Sequence, residues 1–151
     1  MAVQTYPEAQ LARQPIGYWS GVVHRDVVGF IRGTLAKEQL TQPQWWTLNH
    51  VGDAPGTWTR QSLAERLSVF GDPGLDFTPA FAGLSSRGWL AETGGTLALT
   101  PDGEAGLLRA RERVAKANRQ LHEGISRDEY LAALDVLRRM VDNVGGNSDL
   151  P

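Results

Sequence analysis

Apolar residues recur along this chain mostly at steps of three and four, the period of amphipathic helices. After Met1 to Arg13, a loose arm or the beginning of a helix, Pro15 suits the opening of a long helix. Ile16, Trp19, Val23, Val27, Phe30 and Ile31 form one stripe on it. Gly17, Gly21, Gly29 and Gly33 lower its intrinsic helicity, by up to ~1 kcal/mol each against alanine. They imply a partner surface and leave room for a close approach. A second helix starts at Thr41, a capping hydroxyl with Gln44 three residues on. It carries Trp45, Trp46 and Leu48 and ends in the turn residues from Gly52 to Gly56. Thr59 caps a third helix whose inner face is Leu63, Leu67 and Phe70. Gly71 to Gly74 form a turn. Asp76 then caps a fourth helix with Phe77, Phe81 and Leu84 inward, ending at Gly88.

The period then changes. Trp89 to Glu92 and Thr96 to Leu99 flank Thr93-Gly94-Gly95, the pattern of a small hairpin, with Leu97 and Leu99 on one face. Thr100-Pro101 opens a long helix to about Glu123. Ser126 to Glu129 is a capping box. Behind it Tyr130, Leu134, Leu137, Val141 and Val144 form an apolar stripe that stops at Gly145-Gly146, and the last five residues read as a frayed tail. The fold class expected is mainly α with a small β-hairpin, a winged helix-turn-helix. Residues 42–100 form the reading lobe, while 15–40 and 101–145 are helices for dimerisation, all within one unit spanning 1–151. The outer stripes exceed what so small a lobe can bury. Ile16, Val23, Tyr130, Leu134, Leu137, Val141 and Val144 are therefore the expected contacts with a second copy.

Composition narrows the function. The 151 residues are 41% apolar, enough for a packed core. With no cysteine there is no disulfide, thiolate metal site or cysteine nucleophile. His24, His50 and His122 are too scattered for a helical metal motif, so neither metal nor cofactor is expected. A glycine-rich phosphate loop, a close histidine pair and a Gly-x-Ser-x-Gly elbow are all missing, which argues against an enzyme. The amino-terminal residues lack the pattern of a signal peptide, and no stretch approaches the ~20 apolar residues of a membrane span. The expected location is the cytoplasm, with no membrane partner.

Three segments carry a resemblance to a known family. Leu63-Ala64-Glu65-Arg66-Leu67, Leu84-Ser85-Ser86-Arg87-Gly88-Trp89-Leu90 and Leu99-Thr100-Pro101-Asp102-Gly103 resemble, in order and spacing, motifs of the MarR-type regulators. The likeness runs from about Pro15 to Gly145. It implies a dimeric, ligand-responsive repressor that reads double-stranded DNA at a pseudo-palindromic operator. The residues expected at DNA are Thr59, Arg60, Thr78, Ser85, Arg87, Thr93 and Gly95. The resemblance also places a small aromatic or apolar effector at the junction of lobe and dimer helices, where Trp19, Trp45 and Trp46 are candidates. Packing in core and interface is the plainer role for these tryptophans. His24 has two readings as well, as a sensor of ligand or pH or as an ordinary exposed side chain.

Charge sets this chain apart from the family pattern. Net charge is −2. Between Thr57 and Thr100 three basic residues (Arg60, Arg66, Arg87) face four acidic ones (Glu65, Asp72, Asp76, Glu92). Pro79 and Gly83 stand where the family often has arginine in its recognition helix, and the hairpin lacks the family's minor-groove arginine. Backbone N–H groups at helix starts and the hydroxyls of Thr57, Thr59, Thr78, Ser85 and Ser86 remain for phosphate or base contacts. Arg109, Arg111, Arg113, Lys116 and Arg119 share a helix with Glu104, Glu112 and Glu123, which reads as a solvated mixed-charge face. The alternative function is a winged-helix interaction or ligand-binding module with little DNA affinity.

Overall fold

The computed structural model describes residues 3–149, so the expectations for residues 1–2 and 150–151 lie outside it. The elements follow the order α1 (Glu8–Leu11), α2 (Ile16–Ala36), α3 (Gln42–Asp53), α4 (Arg60–Leu67), α5 (Thr78–Ser86), β1 (Leu90–Thr93), β2 (Thr96–Leu99), α6 (Pro101–Leu121) and α7 (Arg127–Asn143). This is a mainly helical winged helix-turn-helix.

Local chemistry explains most boundaries. Thr41 and Gln44 form a reciprocal capping box at the start of α3, and Ser126 and Glu129 do the same for α7. Thr59 pairs with Ser62 at α4, and the Thr100 hydroxyl accepts the Gly103 N–H before α6. Gly88 closes α5 with φ 72°, a left-handed conformation that glycine adopts without a Cβ penalty. The hairpin is antiparallel, pairing Leu90 with Leu99 and Thr93 with Thr96 across a two-residue Gly94-Gly95 turn.

One apolar cluster runs through the lobe and into the long helices. Leu48 and Val51 of α3, Leu63 and Leu67 of α4, Leu84 of α5, Leu97 of β2, Leu35 of α2 and Ala110 of α6 are all essentially inaccessible. The hairpin face expected from Leu97 and Leu99 is the inward one. Phe70 departs from expectation. Helix α4 stops at Leu67, a short 3-10 turn follows over Ser68–Phe70, and Phe70 emerges 41% exposed, its ring edging Trp46 and His50.

Within the protomer a Cβ on Gly17, Gly21, Gly29 or Gly33 would meet nothing within 4 Å, so these glycines face no other part of this chain. A close approach inside the protomer lies in α6. A Cβ on Gly106 would sit 2.3 Å from the Trp89 indole, and one on Gly103 would be 2.1 Å from the Trp89 carbonyl oxygen. Only glycine lets the start of the hairpin lie this flat against α6.

Beyond this core the chain leaves apolar surface open. Ile16, Trp19 and Val23 on α2 are exposed, as are Tyr130, Leu134, Leu137, Val141 and Val144. Helix α7 contributes no buried residue.

Candidate nucleic-acid interface

The α4–turn–α5 pair followed by the hairpin is the arrangement of a helix-turn-helix reader with its wing. Ala80, Phe81 and Leu84 pin α5 to the core. That orientation leaves Thr78, Pro79, Ala82, Ser85 and Ser86 exposed on its outer face. Thr78 and Ser85, expected at DNA, are on that face, which carries hydroxyls and small apolar groups and no charge. Gly83 is not part of it. A Cβ there would lie 2.7 Å from the end of the Gln44 side chain, so this position looks toward α3 and not outward.

The expected donors are mostly in use within the chain. The Asp76 carboxylate accepts the Thr78 backbone N–H at 2.9 Å, and this bond holds its pKa below the ordinary value. Asp76 is not the cap expected from the sequence: Phe77 occupies that position without a side-chain bond, and Asp76 makes an Asx-type turn leading into α5. A negative charge at the start of α5 opposes a phosphate there. Thr59 caps α4 by accepting the Ser62 N–H. Arg60 donates through Nε to Glu92 at 2.6 Å, with both side chains partly open to solvent. This ion pair ties the first residue of α4 to strand β1. Thr93 and Gly95 are exposed around the hairpin turn.

Arg87 departs most from expectation. Its guanidinium donates to the carbonyls of Gln39 at 3.0 Å and Glu38 at 3.2 Å, and it lies 3.8 Å from the ring centre of Trp89. These carbonyls belong to the turn that follows α2, two and three residues past Ala36. Arg87 thus fastens the end of α5 to the turn after α2 instead of standing free for phosphate. Trp89, in turn, rests on Gly103 and Gly106 of α6. Glu38 completes this junction. Its carboxylate accepts from Arg113 at 2.6 Å and Arg109 at 3.2 Å, with only a tenth of its side chain exposed. The hydrogen bond from Arg113 is the largest cause lowering its pKa; burial opposes it, and Arg109 adds to the lowering.

The basic residues of α6 are exposed, as the mixed-charge face read from the sequence implies, and three of the arginines also pair across the fold. Arg109 and Arg113 reach Glu38, and Arg111 reaches Asn49 at 2.9 Å and Asp53 at 2.7 Å on α3. Their partners come from the turn after α2 and from α3, not from Glu104, Glu112 or Glu123. The sequence reading missed Glu38, Glu92 and the role of Trp89. The signal for Trp89 was the pair of glycines three apart in an otherwise regular helix.

The three candidate tryptophans have different surroundings. Trp45 and Trp46 pack against the core, whereas Trp19 is 43% exposed and donates to Gln14 at 2.7 Å. His24 is exposed. His50 is held among Trp58, Phe70 and the Trp46 carbonyl. Among the described residues there is no group of three or more potential metal-ligating side chains, and no helix is long and apolar enough to cross a membrane.

No protein-family model matches the chain, and no curated protein matches it. Solved structures do. The transcriptional repressor CouR is 26% identical, with 91% of this chain and 98% of that one covered and a TM-score of 0.69. A CouR structure bound to p-coumaroyl-CoA matches at 25% identity. The PcaV transcriptional regulator from Streptomyces coelicolor is 23% identical over 87% of this chain and 98% of that one, with a TM-score of 0.71. A MarR family protein of Mycobacterium tuberculosis in complex with DNA is 22% identical over 88% and 99%, with a TM-score of 0.65. With its helix-turn-helix and its hairpin in the same order, the chain has the winged-helix fold of these MarR-type regulators.

Proposed function

We propose that the chain is a homodimeric, ligand-responsive transcriptional regulator, acting as a repressor, that reads a pseudo-palindromic operator through α5. The observation that carries this reading is the exposed, uncharged outer face of α5, held rigidly by Phe81 and Leu84 beside a two-stranded wing. Two such helices would enter successive major grooves about 34–36 Å apart. The solved relatives support the reading, since one is in complex with DNA and another is bound to an acyl-CoA. All three are described as regulators or members of a regulator family, and no reaction is assigned to this chain.

With Arg87 engaged and Arg60 paired, phosphate contacts are few and the salt dependence of DNA binding should be shallow. Thr78, Ser85 and the hairpin residues Thr93 and Gly95 would make hydroxyl and backbone contacts, and specificity would draw on DNA shape as well. The test is anisotropy on DNA from upstream of the chain's own gene and on scrambled DNA, across a salt series. Preference for the upstream DNA with a shallow slope is the expected result. The same acidic surroundings favour a second reading, a winged-helix module with little DNA affinity. Absence of binding to either DNA at low salt would select that one.

A further inference from the structure

Helix α6 turns about 200° for every two residues, so Arg111 points opposite to Arg109 and Arg113. Arg111 faces α3, where it bonds Asn49 and Asp53; the other two face Glu38 in the turn after α2. On this second side α2 and α6 enclose a cavity of about 160 Å³ lined by Phe30, Thr34, Lys37, Arg113, Lys116 and Gln120. A shallower depression, bordered by Glu38, Arg109 and Glu112, shares Arg113 and Lys116 with it. Four cations therefore face two carboxylates in a chain whose overall charge is negative. Glu38 accounts for part of Arg109 and Arg113. Lys37 and Lys116 have no carboxylate within ion-pair distance among the described residues.

We propose that this α2–α6 groove binds a phosphate dianion, either free or as the phosphoryl group of a small molecule. The two uncompensated ammonium groups match the charge of a phosphate monoester, roughly −1.5 to −2 at neutral pH. A phosphodiester, with one charge, matches them less well. Arg113 spends its Nε on Glu38, which leaves its terminal N–H groups for oxygen acceptors. Phe30 gives the groove one apolar wall among polar and charged neighbours. A phosphoryl group on a compact apolar body fits these surroundings. The site involves neither α5 nor the wing, so it does not depend on the DNA-reading proposal.

Calorimetry on the full chain tests the site, with inorganic phosphate and phenyl phosphate as separate probes in chloride buffer of matched ionic strength. Low millimolar concentrations avoid the general stabilisation that phosphate salts give by exclusion from protein surfaces. The parent should bind at least one probe. The Lys37→Gln/Lys116→Gln double variant should bind it at least roughly tenfold more weakly, since each lost charged hydrogen bond is worth more than about 1 kcal/mol. Both lysines are exposed, and an unchanged melting temperature in chloride alone checks that the variant is folded. Tighter binding of phenyl phosphate identifies a phosphoryl ester, and tighter binding of inorganic phosphate identifies the free ion. If neither probe binds, or if the double variant binds as well as the parent, the proposal is overturned.

Discussion

At the scale of single residues, side chains that bond to their own neighbours were legible and those that bond across the fold were not. Thr41, Thr59, Thr100 and Ser126 cap helices where the sequence places caps, because a cap is a contact over three residues. Arg87 is different. Its partners are 48 and 49 residues away, so nothing near it in the sequence shows that it binds carbonyls instead of phosphate. Glu38, its neighbour in the same junction, gives a prediction. Its carboxylate is charged in the fold at a lower pH than in the unfolded chain, because Arg113 and Arg109 favour the anion. A depressed carboxylate pKa contributes stability that is present above the unfolded value, about 4.3, and lost as pH falls through the folded value. Glu38→Gln should therefore lower the melting temperature near neutral pH, by a few degrees for a loss of about 1 kcal/mol. The gap between parent and variant should narrow below about pH 4. Melting curves from pH 3 to 8 check this, and a gap independent of pH would mean that Glu38 acts by shape alone.

At the scale of elements, period and turn chemistry located the helices and the hairpin, with ends misjudged by two or three residues. Helix α4 ends at Leu67 although the apolar period continues to Phe70, because the chain must turn toward α5 before that ring reaches the core. The relation between elements is what periodicity omits. Arg60 and Glu92 are 32 residues apart, and their ion pair fixes the wing against α4 while neutralising an arginine that borders the reading surface. Glu92→Gln should free that guanidinium for a DNA phosphate. It should raise DNA affinity severalfold and steepen the dependence of log K on log salt by about one per added contact. Asp72→Asn removes the same charge from the lobe without releasing an arginine, so it serves as the control. Equal gains from both substitutions would attribute the effect to general repulsion and leave the Arg60 pair without a role in binding. The tip is a poorer place to add charge. Gly95 has φ 82°, so an arginine there would strain the turn before it reached DNA.

At the scale of the whole molecule, the long exposed apolar stripes lie outside the stretch from Leu35 to Ala117 that supplies the buried core. Among the described residues the largest fully buried side chains lie between Leu35 and Leu97, with Leu107 of α6 joining their core, whereas α7 and the first half of α2 hold their apolar stripes in solvent. The stripes were visible in the sequence. That the lobe completes its own core without them was not, because the partner of each apolar face is a three-dimensional fact. This division changes what loss of the proposed dimer should do. Leu134 and Leu137 contribute nothing to the protomer's core, so replacing both with aspartate should separate the subunits without unfolding the winged helix. An isolated 17-residue helix is marginal in water, so α7 should lose much of its helicity once it has no partner. The double variant should sediment as a monomer, show reduced helical ellipticity, and keep a cooperative melt of the lobe. Its DNA affinity should fall steeply, since one lobe with few basic groups would have to hold a half-site alone. A variant that remains dimeric would place the interface elsewhere. Complete loss of the cooperative melt would show that the lobe depends on the second chain for its stability, and that its core is not self-sufficient at the concentrations tested.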